Sequence, residues 1–130
     1  MNEPLRGCPT CGTEVSEADL GLRDYRWVAD ALPGRVAPMD LDAVLEHRGK
    51  VLIQEFKPLG VPVPLGQRIT LTTFVKMGAD VWIVWEDKDR KHAEVGSLNR
   101  FGEVDFVERM TITRLRARVS AWYKRTTEES

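Results

Sequence analysis

The stretch at residues 38–57, PMDLDAVLEHRGKVLIQEFK, constrains the fold most because it predicts two strands joined by a tight turn. Residues 39–47 alternate between polar and apolar, which is typical of a strand with two different faces. Residues 47–50 form a short polar turn, in which Gly49 can take a positive φ angle. Residues 51–57 are apolar and β-branched enough for a second strand. The stretch therefore predicts a β-hairpin.

The period of two in a strand places the charged residues of this hairpin on one face. Asp40 and Asp42 share a face of the first strand, and Glu55 and Lys57 share a face of the second. Neighbouring carboxylates repel each other unless a cation or a proton intervenes. An Asp and a Glu that leave room for water and phosphate suit Mg²⁺ or Mn²⁺, and a lysine beside them can hold an attacking water. The alternative is a solvent-facing hairpin with ordinary surface charges.

Asp42, twelve further residues and then Glu-Phe-Lys at 55–57 resemble the motif of the PD-(D/E)XK nuclease superfamily, with Asp40 as a second candidate for its aspartate. The spacing from Asp42 is similar to that of the archaeal Holliday-junction resolvases. The Gly-Gln pair at 66–67 resembles the glutamine motif of RecB-type and lambda-exonuclease-type nucleases. Those families usually carry a tyrosine four residues after the glutamine, where this chain has Leu71.

The resemblance implies a restriction-endonuclease-like α/β core, in which helices flank a mixed β-sheet, and Mg²⁺-dependent hydrolysis of DNA phosphodiester bonds. It assigns metal binding to Asp42 and Glu55, with Asp40 as an added ligand, and assistance to the attacking water to Lys57. Gln67 either reaches a phosphate or the water at the metal, or is a solvated residue of a first helical turn. By analogy we expect a junction-resolvase-like endonuclease of phage or bacterial recombination, repair or packaging, acting as a homodimer.

Composition narrows the remaining options. A chain of 130 residues is long enough for one domain with a core. A net charge of −1 excludes a global basic field, so attraction to DNA must come from local patches. No apolar run is long enough to span a membrane, and no signal-peptide pattern begins at Met1. We therefore expect a protein without membrane contact in the cytoplasm of a bacterium or of a phage-infected host.

Residues 1–15 form a leader in which Cys8 and Cys11 lie within CPTCG, a pattern that resembles one knuckle of a zinc ribbon. The second knuckle is missing, so three interpretations stay open. The pair binds a Zn²⁺ ion that histidines or a second chain complete, it is a remnant or mobile thiol pair, or it is a redox site. The redox interpretation is the least favoured because no strand is predicted before the motif.

A helix is predicted over residues 16–32, with Ser16 as its N-cap. Glu17 and Asp24 fall on its inward stripe, among apolar neighbours. Many members of the nuclease superfamily carry an additional acid on the first helix that faces the metal, and Asp24 is the first choice for that role and Glu17 the second. The alternative for Asp24 is a surface salt bridge or exposure through rotation of the helix.

The rest of the chain predicts alternating elements, assigned as a proline-stiffened loop at 58–64, a helix at 66–78, a central strand at 81–85, a hairpin of strands 94–98 and 103–108, and a last helix at 111–124. We place the nuclease-like domain at residues 16–126 and an acidic tail at 127–130.

The last helix is rich in basic residues, namely Arg114, Arg116, Arg118, Lys124 and Arg125. A patch of one sign in a nearly neutral protein indicates a surface that contacts the phosphates of DNA. The alternatives are a solvated face or packing against a second copy. Two other function classes also stay open: a non-catalytic nucleic-acid-binding module on a nuclease-like fold, and a zinc-knuckle adaptor for protein contacts.

Overall fold

The computed structural model describes residues 6–7, 14–15, 26–34 and 38–128. The chain divides into two compact units, Met1–Met39 and Asp40–Ser130. In the first unit, strands β1 (Arg6–Gly7) and β2 (Glu14–Val15) pair antiparallel, and helix α1 spans Arg26–Asp30. Helix α1 lies inside the predicted helix at 16–32, of which residues 16–25 are outside the described part.

The second unit is a mixed α/β structure. Its elements in chain order are β3 (Ala43–His47), β4 (Lys50–Pro58), α2 (Leu65–Lys76), β5 (Asp80–Glu86), β6 (His92–Leu98), β7 (Val104–Thr111) and α3 (Ile112–Glu128). The strands form one five-stranded sheet in the order β3-β4-β5-β6-β7, in which β4 and β5 are parallel and the other neighbours are antiparallel. A parallel pair needs a crossover, and α2 supplies it. The predicted α/β class, the mixed sheet and the central strand at 81–85 are confirmed.

The β3–β4 hairpin forms around a two-residue turn. Arg48 and Gly49 both have positive φ angles, of 54° and 82°, as a turn that matches the twist of the flanking strands requires. The first strand is shorter than predicted, because β3 begins at Ala43 and residues 39–42 are not in the sheet. The cause lies at Phe56, whose amide donates to the Asp42 carboxylate at 2.8 Å instead of continuing the backbone ladder.

Helix α3 covers one face of the sheet. Its Leu115 and Trp122 join a buried cluster with Leu52 of β4 and with residues of β5, β6 and β7, namely Trp82, Val84, Ala93, Val95 and Met110. The Trp122 indole also donates to Asp80 at 2.8 Å, which satisfies the polar atom of a buried aromatic ring. Since successive residues of a strand point to opposite faces, Ile53 and Glu55 lie on the other face, under α2. The sheet is therefore flanked by helices on both faces.

Both ends of α3 are held by contacts with the sheet and its turns. The Thr111 hydroxyl caps the helix by accepting from the Arg114 amide at 3.1 Å, at the residue where the predicted helix begins. The helix runs to Glu128, four residues beyond the predicted end at 124. The hairpin turn explains the difference, because Arg48 donates to the Thr127 carbonyl at 2.7 Å. Sequence periodicity within the helix does not show this contact with a distant turn.

Candidate active site

The β3–β4 register brings two carboxylates together. Val44 pairs with Ile53 in the antiparallel hairpin. Asp42, two residues before Val44, and Glu55, two residues after Ile53, therefore lie opposite each other on the same face. The bond from the Phe56 amide holds the Asp42 carboxylate over β4. The structure thus places the aspartate and the glutamate of the predicted motif side by side.

Glu55 is an acid buried to 2% exposure at the centre of this arrangement. Its Oε1 accepts from Gln67 Nε2 at 2.5 Å and lies 3.5 Å from the Lys57 ammonium. Its Oε2 is also buried and has no hydrogen-bond partner among the described residues. A buried carboxylate oxygen without a partner is unfavourable, and a cation or a proton at that point would satisfy it.

The surroundings of Glu55 oppose its charge. Burial raises the pKa of Glu55 above its ordinary value, and the nearby charge of Asp42 raises it further. The hydrogen bond from Gln67 and the charge of Lys57 act in the opposite direction on this pKa and only partly offset the rise. The pair of carboxylates therefore favours a bound proton or cation over two free negative charges.

Gln67 reaches the site from the first turn of α2. The loop that precedes this helix is fixed by buried Val63 and by the Trp85 indole, which donates to the Val61 carbonyl at 2.7 Å. The Oε1 of Gln67 is buried and, like the Oε2 of Glu55, has no hydrogen-bond partner within the described chain. Two unsatisfied oxygens on hydrogen-bonded side chains fit a hard cation, for which oxygen is the preferred ligand.

Few side chains at this site could act as metal ligands. Across the described ranges, no three His, Cys, Asp or Glu side chains converge as a metal-binding group. Asp42 and Glu55 form a pair, and Asp40 is an exposed residue two positions earlier in the chain. A Mg²⁺ ion commonly takes only one or two carboxylates and keeps waters or substrate phosphates elsewhere, so a pair with Gln67 beside it fits this ion.

Several residues predicted for function are not part of this cluster. Cys8, Cys11, Glu17 and Asp24 lie outside the described residues. The basic residues of α3 belong to the helix on the opposite face of the sheet from Glu55. There Arg114 pairs with Glu108 at 2.8 Å, and the Arg118 guanidinium lies 5.3 Å from the centre of the Trp82 ring. The basic helix and the carboxylate pair are therefore separate features of the molecule.

A cleft of about 730 Å³ adjoins Lys57 at the carboxyl ends of β4 and β5. Lys88 and Arg90 of the β5–β6 turn line it together with the loop after β4. Asp87, also in its wall, pairs with Arg109 at 2.8 Å, and this hydrogen bond lowers the pKa of Asp87. The sequence analysis assigned no function to residues 86–91. The signal was available in principle, since crevices at the carboxyl ends of parallel strands commonly bind ligands, but the parallel pairing was not predicted.

Comparison with known protein families, with characterised proteins and with solved structures finds no match to this chain. The helices in the described part of the chain are each too short or too polar to cross a bilayer.

Proposed function

We propose that this protein is a divalent-metal-dependent nuclease that hydrolyses DNA phosphodiester bonds on a restriction-endonuclease-like core. The observation that carries the proposal is the buried Glu55 carboxylate, which lies beside Asp42 and Lys57 and has one oxygen without a hydrogen-bond partner in the described part of the chain. A purely structural acid would be expected to be neutralised or fully hydrogen-bonded in such a place. A carboxylate that binds a cation has no protein hydrogen-bond donor on the oxygen that faces the cation.

The site residues have two kinds of role: some would bind the metal ion, and one would act on the water and the phosphate. Asp42 and Glu55 would hold Mg²⁺ or Mn²⁺, with Asp40 as the candidate for a further ligand. The bound ion would supply a Lewis acid that stabilises negative charge on the phosphate and eases deprotonation of water. Gln67 holds Glu55 in one orientation through its amide, and its buried oxygen has no hydrogen-bond partner among the described residues.

Lys57 is the group that acts on the reacting atoms. Its ammonium lies 3.5 Å from Glu55 Oε1, and its side chain is 18% exposed, so it is oriented by one partner and still accessible to substrate. We assign it the positioning of the attacking water and the stabilisation of charge that develops on the phosphate. The cleft beside it, with Lys88 and Arg90 in its wall, is the place for the adjoining phosphates.

The biological setting follows from the resemblance and is part of the proposal. We infer a junction-resolvase-like endonuclease of bacterial or phage recombination or repair, acting in the cytoplasm. A homodimer suits such an enzyme because cutting both strands of a symmetric junction needs two sites.

The test is cleavage of labelled DNA by the full chain. Duplex, single-stranded, flap and four-way-junction substrates are incubated with Mg²⁺, with Mn²⁺ and with EDTA. We expect cleavage with either metal, none in EDTA, and none by Glu55→Gln or Asp42→Asn, while Glu128→Gln at the exposed end of α3 behaves as wild type. Metal-independent cleavage, or wild-type rates in either site variant, would overturn the proposal. DNA binding without any cleavage would favour the non-catalytic module.

A further inference from the structure

A second cleft, of about 580 Å³, lies between α2 and the tip of the β6–β7 hairpin, and we call it the α2 cleft. Three of its lining residues are apolar and mostly exposed: Leu65 at 72%, Ile69 at 59% and Phe101 at 78%. Its charged lining residues are Arg68, Lys76, Arg100 and Glu103. Exposed apolar side chains that are gathered in one place and bordered by charges mark an interaction surface.

The aromatic ring in this cleft is presented by a fixed turn. The Asn99 side-chain oxygen accepts from the Phe101 amide at 2.8 Å and from the Glu103 amide at 3.0 Å. Gly102 brings the tip close to α2, since a Cβ on it would lie 3.4 Å from the Thr72 hydroxyl. The turn is thus braced on both sides, and Phe101 projects into solvent without the cost of ordering a loose loop on binding.

The polar groups of the α2 cleft favour a negatively charged ligand. Arg68 Nε is buried and finds no acceptor among the residues that the structure describes. A buried N–H donor of a cationic group without an acceptor is unfavourable, and an anion would supply the acceptor. Arg68, Lys76 and Arg100 outnumber the single acid Glu103, so the lining carries a positive excess that complements phosphate.

The position of Arg68 ties the cleft to the proposed active site. Arg68 follows Gln67, whose side chain contacts Glu55, so residues of the same first turn of α2 contribute to both the cleft and the proposed active site. The Arg100 guanidinium lies over the Phe101 ring, 5.9 Å from its centre, while Phe101 is still 78% exposed. Aromatic faces with interspersed cations bind bases and phosphates of a single strand, because a base in a duplex is already stacked.

We propose that the α2 cleft binds the single-stranded DNA that continues from the cleavage site, with one base stacked on Phe101 and phosphates on Arg68, Lys76 and Arg100. The inference rests on the proposed function for the choice of DNA as the ligand. The occupant it commits to is a single strand, since a duplex offers no free base to Phe101.

The test measures binding without cleavage. Fluorescence anisotropy of a labelled oligo(dT) is recorded with the full chain in EDTA, alongside a duplex of mixed sequence. Phe101→Ala is expected to weaken binding of oligo(dT) roughly tenfold, as loss of one base–aromatic stack does. Phe101→Trp should restore binding, and Arg68→Met, which keeps the apolar stem, should weaken binding and flatten its salt dependence by about one phosphate contact.

Phe106→Ala is the matched control, because Phe106 is also exposed, at 87%, but does not line the cleft. Equal effects of Phe101→Ala and Phe106→Ala, no effect of either, or no binding of oligo(dT) by wild type would overturn the inference. Conversion of a dimer to a monomer by Phe101→Ala in light scattering, with binding unchanged, would also overturn it and assign the cleft to subunit contact. Metal-dependent cleavage of DNA is scored separately, so the proposed function stands or falls on its own result.

Discussion

We expect the environment of Glu55 to lower the free energy of unfolding of the metal-free protein. The glutamate is buried, lies beside Asp42 and has one oxygen without a partner among the described residues. Glu55→Gln removes the charge and keeps the shape, so in EDTA we expect the free energy of unfolding to rise by about 1 kcal/mol. Thermal unfolding of purified wild type and variant measures the difference.

Added Mg²⁺ completes this measurement. It should raise the melting temperature of wild type and leave that of Glu55→Gln unchanged, because only a ligand that binds the folded state stabilises it. Glu128→Gln serves as the control and should shift stability by less than about 0.5 kcal/mol. A less stable Glu55→Gln protein in EDTA would show that the glutamate is a stabilising structural acid.

Lys57 is expected to matter for rate more than for affinity. Lys57→Ala should lower turnover by at least about 100-fold, because the ammonium acts on charge that develops in the transition state. Affinity for DNA in EDTA should change little. Lys50→Ala, an exposed residue at the start of the same strand, controls for loss of a positive charge. Equal losses in affinity and in turnover would reduce Lys57 to a phosphate contact.

At the scale of elements, the β6–β7 pair depends on one glycine. A Cβ on Gly96 would lie 2.5 Å from Val104 Cγ1 and 2.9 Å from Val107 Cγ2, next to the irregularity in the register between Val95 and Ser97. Gly96→Ala should therefore destabilise the protein by about 1–3 kcal/mol through overpacking, as measured by urea unfolding.

Gly66→Ala is the control for this substitution. A Cβ there meets no atom within 4 Å, and the residue lies in helix α2, so we expect a gain of about 0.5–1 kcal/mol. If Gly96→Ala were as stable as Gly66→Ala, the close approach of the two strands would not be required for the fold.

Local elements were largely predictable because their determinants are local. The polar–apolar alternation and Gly49 identify the β3–β4 hairpin, and Thr111 marks the start of α3. What the periodicity of one segment cannot show is how it meets a distant one. Strand β3 starts only after Asp42 because the Asp42 side chain accepts from the Phe56 amide. Helix α3 continues for a further turn because Arg48 donates to the Thr127 carbonyl.

The grouping of residues at the candidate site was predictable to a similar degree. The motif spacing identified four candidates, and the structure places their side chains together: Asp42, Glu55, Lys57 and Gln67. The cleft at the β5–β6 turn was missed because it exists only once β4 and β5 lie in parallel. The strand–helix–strand order of residues 51–57, 66–78 and 81–85 is the sequence signal for such a parallel pair, but it was not used to predict the pairing.

At the scale of the whole molecule, the sheet separates two charged features. The carboxylate pair lies on the α2 face, while the arginines of α3 belong to the helix on the other face. If DNA contacts both, Arg114 and Arg118 supply affinity and do not take part in the reaction. Changing both to Ala should weaken binding of all DNA sequences and leave turnover at saturating DNA intact.

The salt dependence of binding makes this prediction quantitative. The slope should fall by at most about two phosphate equivalents, and by less if the pairing of Arg114 with Glu108 persists in the complex. Affinity is measured at several salt concentrations, with light scattering to follow the oligomeric state. Unchanged affinity and slope would leave this face solvated, and a shift from dimer to monomer would assign it to the contact between subunits.

The parallel pairing of β4 and β5 also leads us to expect a particular order of folding events. Asp42 and Glu55 meet within a hairpin, whereas Gln67 arrives only when the crossover docks on the sheet and closes a longer loop. We expect Leu71→Ala, which removes the buried anchor of α2, mainly to speed unfolding, and Val95→Ala in the β5–β6 pair mainly to slow folding. Stopped-flow kinetics that show the reverse would mean that α2 docks first. On the expected order, the chain brings its two acids together before it acquires the amide that orients them.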